Sequence, residues 1–62
     1  MPTQQLIFIA ENYLRILRAD PNPTIATETY YVCIAARHGV TFERISELTG
    51  IPLNRVARLV NG

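Results

Sequence analysis

The chain has 62 residues, of which 48% are hydrophobic and 18% are charged, and its formal net charge is +1. This composition is ordinary for a globular chain and excludes a disordered tail. A chain of this length forms one domain and is marginally stable by itself. With one cysteine and one histidine, it can form neither an internal disulfide framework nor a structural zinc site from those residues.

Neither a membrane span nor a signal peptide is indicated by the N-terminal half. Its longest apolar run, LIFIA at residues 6–10, is too short to cross a bilayer, and it lacks the basic start and the cleavage site of a signal peptide. We therefore expect a cytoplasmic protein with no membrane partner. Because no disulfide or metal is available to stabilise so short a chain, we also expect self-association as a homodimer.

Residues 3–19 are predicted to form the first helix, an amphipathic one whose apolar side chains cover almost half of its circumference. A stripe this wide is expected to pack on its own domain and on a second subunit. Phe8 lies among polar residues on the other side, and it is either an anchor between subunits or an exposed aromatic without a role. The predicted dimerisation residues are Leu6, Phe8, Ile9, Tyr13 and Ile16.

The second helix follows the segment DPNP at residues 20–23, which cannot continue the first helix because proline lacks a backbone donor and restricts its predecessor. Thr24 or Thr27 is predicted to cap the second helix, with Glu28 near its positive end. Residues 30–36 contain no polar face. A helix that is apolar all round is predicted to be central and buried.

Cys33 and His38 are the two residues of this region with reactive side chains. They are five positions apart, about 140° around a helix, so they do not face each other as a nucleophile and its base would. We interpret Cys33 as a buried thiol, and His38, before Gly39 at the predicted helix end, as a structural residue or a phosphate contact. The chain also lacks paired carboxylates beside a base and a glycine-rich phosphate loop. We expect no enzymatic activity and no cofactor.

The last third of the chain predicts two short helices joined by a glycine corner. Thr41 is expected to cap the third helix, Gly50 to end it with a positive φ, and Pro52 to start the fourth. Helical spacing places Asn54, Arg58 and Asn61 on the exposed arc of the fourth helix, with Arg55 at its edge, and Val56, Leu59, Val60, Leu53 and Ala57 on the apolar arc. Arginine reads guanine and asparagine reads adenine in the major groove, so the exposed arc suits base recognition.

Positive charge is concentrated in the same part of the chain. From residue 37 onward there are four arginines and two acidic residues, and the whole chain contains no lysine. The planar guanidinium group suits bidentate contact with phosphate or guanine. The distribution therefore favours a nucleic-acid partner, although the low overall charge does not.

The segment TFERISELTGIPLNRVARLV, residues 41–60, resembles the helix-turn-helix of bacterial winged-helix regulators of the MarR and IclR kind. The small, turn and buried positions of that motif are occupied here by Ser46, Gly50, Ile51, Val56 and Leu59. The upstream stretch IAARHG, residues 34–39, is similar to the end of the helix that precedes the motif in those families. The resemblance thus extends over just over half of the chain.

We therefore expect an all-α fold: one domain over residues 1–62, with a dimerisation helix at 3–19 and a trihelical core at 24–62 that ends in the helix-turn-helix. The resemblance implies a transcriptional regulator that binds double-stranded DNA sequence-specifically as a dimer, through the major groove. By position, it places Leu53, Asn54, Ala57 and Arg58 nearest the bases and Arg44 and Arg55 nearest phosphates, and Thr41 completes the predicted DNA-binding set.

The chain departs from those families because no β-hairpin wing follows the motif before Gly62. We expect neither a wing nor a small-molecule effector, and a small phage or plasmid regulator and a chain trimmed before its wing both remain open. The alternative is a protein-interaction module that reuses the helix-turn-helix scaffold and docks through its first helix. The low net charge favours this alternative.

Overall fold

The computed structural model describes residues 3–62, so the first two residues of the predicted domain lie outside it. Residues 3–62 form four helices and no strand: α1 (Thr3–Ala19), α2 (Ile25–Arg37), α3 (Phe42–Thr49) and α4 (Leu53–Asn61). The predicted small all-α domain with an N-terminal amphipathic helix is confirmed. Within the described part of the chain, every helix is too short or too polar to cross a membrane.

The breaks between the first two helices follow from local chemistry. After α1, the Asp20 carboxylate accepts a hydrogen bond from the backbone N–H of Asn22 at 3.0 Å, which closes a turn in the proline segment. Thr24, rather than Thr27, caps α2, because the Thr24 hydroxyl accepts from the Thr27 N–H at 3.1 Å. The chain leaves α2 through Gly39, whose φ of +99° favours glycine.

The structure has the predicted cap and the predicted glycine end of α3, whereas α4 begins one residue after the predicted start at Pro52. The Thr41 hydroxyl accepts from the Arg44 N–H at 3.1 Å and caps α3. Gly50 ends α3 in the left-handed conformation at φ +78°, with its N–H donated to the Ser46 carbonyl at 2.8 Å. Pro52 lies one position before α4 as its N-cap, and its carbonyl accepts from the Val56 N–H at 3.0 Å.

One hydrophobic core joins all four helices. α2 packs against each of the other three helices, and α1 also packs against α3. Burying each large aliphatic side chain stabilises the fold by roughly 1.5–3 kcal/mol relative to leaving it in water. Because α1 contributes three core side chains, the core is not contained within residues 24–62. The buried apolar residues are Ala10, Leu14, Leu17, Val32, Ala35, Val40, Ile45, Ile51 and Val56.

The prediction that α2 is buried on all sides is wrong. Tyr30 is 63% exposed, whereas Val32 and Ala35 are fully buried. At 100° per residue these two residues lie about 160° and 140° from Tyr30 around the helix axis. The neighbouring helices pack on the side of α2 that carries Val32 and Ala35. A four-helix domain of this size has no further element to cover the opposite side.

Candidate nucleic-acid interface

The orientation of α4 is set by its buried apolar side. Val56 is fully buried, whereas Asn54 and Arg58 are exposed. The amides of Asn54 and Asn61 can donate and accept hydrogen bonds, and the guanidinium of Arg58 can donate them, without disturbing the core. Of the residues predicted nearest the bases, Leu53, Asn54 and Arg58 are exposed and Ala57 is half-buried. Asn61, on the same arc, is exposed as well.

Arg58 is the arginine of α4 that remains free to contact a ligand. It forms no ion pair with any of residues 3–62, although carboxylates hold other arginines of the domain. An unpaired guanidinium keeps its bidentate donor geometry available for guanine or phosphate. Arg58 thus has the accessibility that base recognition would require.

Arg55, predicted to contact a phosphate, is paired inside the protein. One of its terminal nitrogens lies 2.5 Å from a carboxylate oxygen of Glu28, and Glu28 is only 7% exposed. The pair joins the first turn of α4 to the first half of α2. Since the Arg55 side chain is 42% exposed, part of its guanidinium remains accessible from solvent.

Arg44, the second predicted phosphate contact, joins α3 to α1. Its Nε donates to Glu11 at 3.0 Å and its Nη1 donates to Glu47 at 2.6 Å. The hydrogen bond to Glu11 and the negative charge of that carboxylate raise the pKa of Arg44 above its ordinary value. Arg18 adds a donation to the Glu47 carbonyl at 3.3 Å. Arg44 and Thr41 therefore have structural partners in the free protein, the latter as the cap of α3.

Two hydroxyl groups brace the corner between α3 and α4. The Ser46 hydroxyl donates to the Ile51 carbonyl at 2.6 Å, across the turn. The Thr49 hydroxyl accepts from the Ile51 N–H at 3.2 Å and donates to the Ile45 carbonyl at 2.7 Å. Both backbone groups of Ile51, its N–H and its carbonyl, are therefore hydrogen-bonded to side chains of α3. This restricts the angle between α3 and α4.

These roles differ from those that the sequence predicts. The sequence pattern indicates only a small residue at Ser46 and only a helix-dipole role for Glu28. Ser46 and Thr49 lie at the two ends of the last helical turn before Gly50. Hydroxyl side chains at these positions are a signal for hydrogen bonds that brace the corner. A single acidic residue in a largely apolar helix is a signal for a cationic partner, since a buried carboxylate needs one.

The predicted dimerisation residues divide into two groups on α1. Ile9, Tyr13 and Ile16 form one exposed stripe, and Leu6 is half-buried beside it. Phe8 is also exposed, but it lies about 100° from Ile9 and 140° from Tyr13 around the helix axis. The predicted residues therefore do not form a single surface.

The surroundings of Cys33 indicate a structural rather than a catalytic role. Its thiol is half-buried and donates to the Leu59 carbonyl of α4 at 3.5 Å. It lines a groove of about 340 Å³ together with four other side chains, none of them a base that could activate the thiol. Among the described residues, no group of three possible ligands could hold a metal ion.

No protein-family model matches the chain, and no curated protein or solved structure matches it. The features that bear on function are therefore the exposed side of α4 and the charges around it.

Proposed function

We propose that the protein is a cytoplasmic, sequence-specific DNA-binding regulator of transcription that acts as a homodimer and places α4 in the major groove. The observation that carries the proposal is the outward orientation of Asn54 and Arg58 on a helix whose opposite side is anchored by the buried Val56. Guanidinium and amide groups are the side chains that best distinguish guanine and adenine in that groove.

The contacts that hold α4 in place support the proposal. Base recognition requires side chains that are held in place by their surroundings. The Ser46 and Thr49 hydrogen bonds restrict the corner before α4, and the Arg55–Glu28 pair restricts rotation of α4 about its axis. Arg55 then acts first as a positioning residue, while its exposed portion remains available to a phosphate.

The dimensions of the domain suit a dimer on a two-fold operator. Its extents are 32 × 23 × 18 Å. In dimeric helix-turn-helix proteins, the two reading helices occupy half-sites about 34 Å apart along one face of the duplex. Two copies of a domain this size, joined side by side, span at least that distance.

Selection of binding sites from random duplexes tests the proposal. We expect enrichment of a two-fold symmetric sequence and an affinity that falls steeply as salt is raised, because phosphate contacts release counterions. Enrichment of no sequence, or an affinity that does not respond to salt, would remove DNA binding as the function.

The ion pairs favour a second candidate, a protein-interaction module. Carboxylates already neutralise Arg44 and Arg55, so the exposed side of α4 carries one unpaired arginine, Arg58. The net charge of +1 gives little attraction to a polyanion. Under this alternative the scaffold binds another protein, and the selection described above yields no enriched sequence from a folded sample.

A further inference from the structure

The sequence pattern predicts a homodimer that forms through α1 alone. Resting on the proposed function, we propose that two copies meet instead through a two-helix surface, the aromatic face, to which both α1 and α2 contribute. We define the aromatic face as the exposed side chains of Ile9, Tyr13 and Ile16 on α1 and of Tyr30 on α2, together with the half-buried Tyr31 and Ile34 of α2.

Three tyrosine rings make this surface continuous across the two helices. Tyr13 stacks on Tyr31 with ring centroids 5.8 Å apart and planes 19° apart. Tyr30 meets the same Tyr31 ring edge-on at 5.6 Å. With Ile34 these rings line a groove of about 280 Å³. A partner side chain entering the groove would contact both helices at once.

Phe8 does not belong to the aromatic face. It lies about 20° from Arg15 around α1, and Arg15 is itself near Glu11, which pairs with α3 through Arg44. Phe8 is therefore on the α3 side of α1, whereas Tyr13 is on the α2 side. One planar contact between two copies cannot cover both sides.

The charge of the aromatic face favours a second copy as its occupant. In a two-fold contact a surface meets itself, so charged residues near its centre would oppose like charges. The six side chains of the aromatic face carry no charge, and the exposed Arg37, about 20° from Tyr30 around α2, lies at the edge of the face rather than at its centre. A strongly charged partner would find no complementary charge at the centre of the aromatic face.

The area of the aromatic face is that of a weak dimer. Tyr13 and Tyr30 are 44% and 63% exposed, which corresponds to roughly 200 Å² of tyrosine surface, and Ile9 with Ile16 adds a similar area. A standard interface buries about 800 Å² on each partner, roughly twice the area of the aromatic face. The expected dimer is therefore small and dissociates on dilution.

Sedimentation equilibrium over a range of concentrations, with two matched variants, tests this assignment. Tyr30→Glu and Phe8→Glu each place a carboxylate at an exposed aromatic position, 63% and 61% exposed respectively. We expect the wild-type chain to show a monomer–dimer equilibrium, Tyr30→Glu to raise the dissociation constant at least about 30-fold, the loss of one interface hot spot, and Phe8→Glu to leave it unchanged. Circular dichroism checks that both variants remain helical.

A measurement on the wild-type protein covers the case in which Tyr30→Glu fails to fold. In a dimer of mixed isotope-labelled and unlabelled chains, contacts between the Tyr30 ring of one copy and side chains of the aromatic face of the other would support the assignment. Contacts between the copies that all lie outside the aromatic face would overturn it.

The outcomes separate this inference from DNA binding. A wild-type monomer at all concentrations overturns the aromatic face and the homodimer together, and site selection then decides whether α4 reads DNA alone. A dimer that Phe8→Glu dissociates and Tyr30→Glu does not overturns the aromatic face only.

Discussion

Arg55 of α4 and Glu28 of α2 form an ion pair at 2.5 Å in which the carboxylate is almost completely buried. This ion pair fixes which side of α4 faces outward, because rotation of the helix about its axis would separate the two groups. The orientation of Asn54 and Arg58 thus depends on a residue of α2 as well as on the apolar arc of α4.

Arg55→Ala should lower the free energy of unfolding by about 1–3 kcal/mol, since it leaves a buried charged group without its partner. Glu28→Gln should cost less, because the amide oxygen still accepts a hydrogen bond. Urea unfolding of both variants and of the double variant measures the coupling between the two positions. Strictly additive losses would show that the pair contributes no interaction energy.

Arg58→Ala tests base recognition. We expect it to weaken binding to the selected sequence by about 1–3 kcal/mol and to relax the preference at one base position. Arg15→Ala is the charge control, because it removes the same charge from the exposed side of α1, away from α4, where the nearest carboxylate oxygen, on Glu11, lies 3.9 Å away. Equal losses in the two variants would mean that Arg58 contributes only general electrostatic attraction.

Gly50→Ala tests the corner. No atom lies within 4 Å of the position that a Cβ would take at Gly50, so the cost comes from the positive φ of +78° alone. We expect a loss of about 1–2 kcal/mol in unfolding free energy for alanine and a smaller loss for Gly50→Asn, since asparagine tolerates the left-handed conformation better. Similar losses for the two variants would point to a contact rather than to backbone conformation.

Ser46→Ala removes the hydroxyl that crosses the corner to the Ile51 carbonyl. We expect it to cost about 1 kcal/mol and to speed amide hydrogen exchange at the start of α4. Thr29→Ala is the control, because that hydroxyl donates to the Ile25 carbonyl within a single helix. Unchanged exchange at α4 in the serine variant would exclude a bracing role.

The raised pKa of Arg44 gives a pH test of the link between α1 and α3. A group whose folded pKa is raised adds stability below its unfolded pKa and loses that stability only as pH rises through the folded value. For Arg44 that loss lies beyond ordinary alkaline pH, so its contribution should stay constant there. Arg44→Lys should lose stability as pH approaches about 10.4, the ordinary lysine value. Parallel pH profiles for arginine and lysine would show that this ion pair does not stabilise the fold.

The helix boundaries could be predicted because their determinants are local. The threonine caps, the proline segment and Gly50 act within a few residues, and the structure places each in its predicted role. The partners of Arg55 and Arg44 could not be predicted, since Glu28 and Glu11 are 27 and 33 residues distant in sequence. The exposure of Tyr30 was also missed, because the number of helices that pack on α2 is a tertiary property.

Ala10, Leu14 and Leu17 place part of the core on α1, which has a consequence for how the protein can be divided. The two C-terminal helices cannot be used as a separate unit, because in a fragment that lacks α1 the core around Val32 and Ile45 would be exposed to water. Substitutions that test the proposed association separately from the proposed DNA contact must therefore be made at the surface of the intact chain.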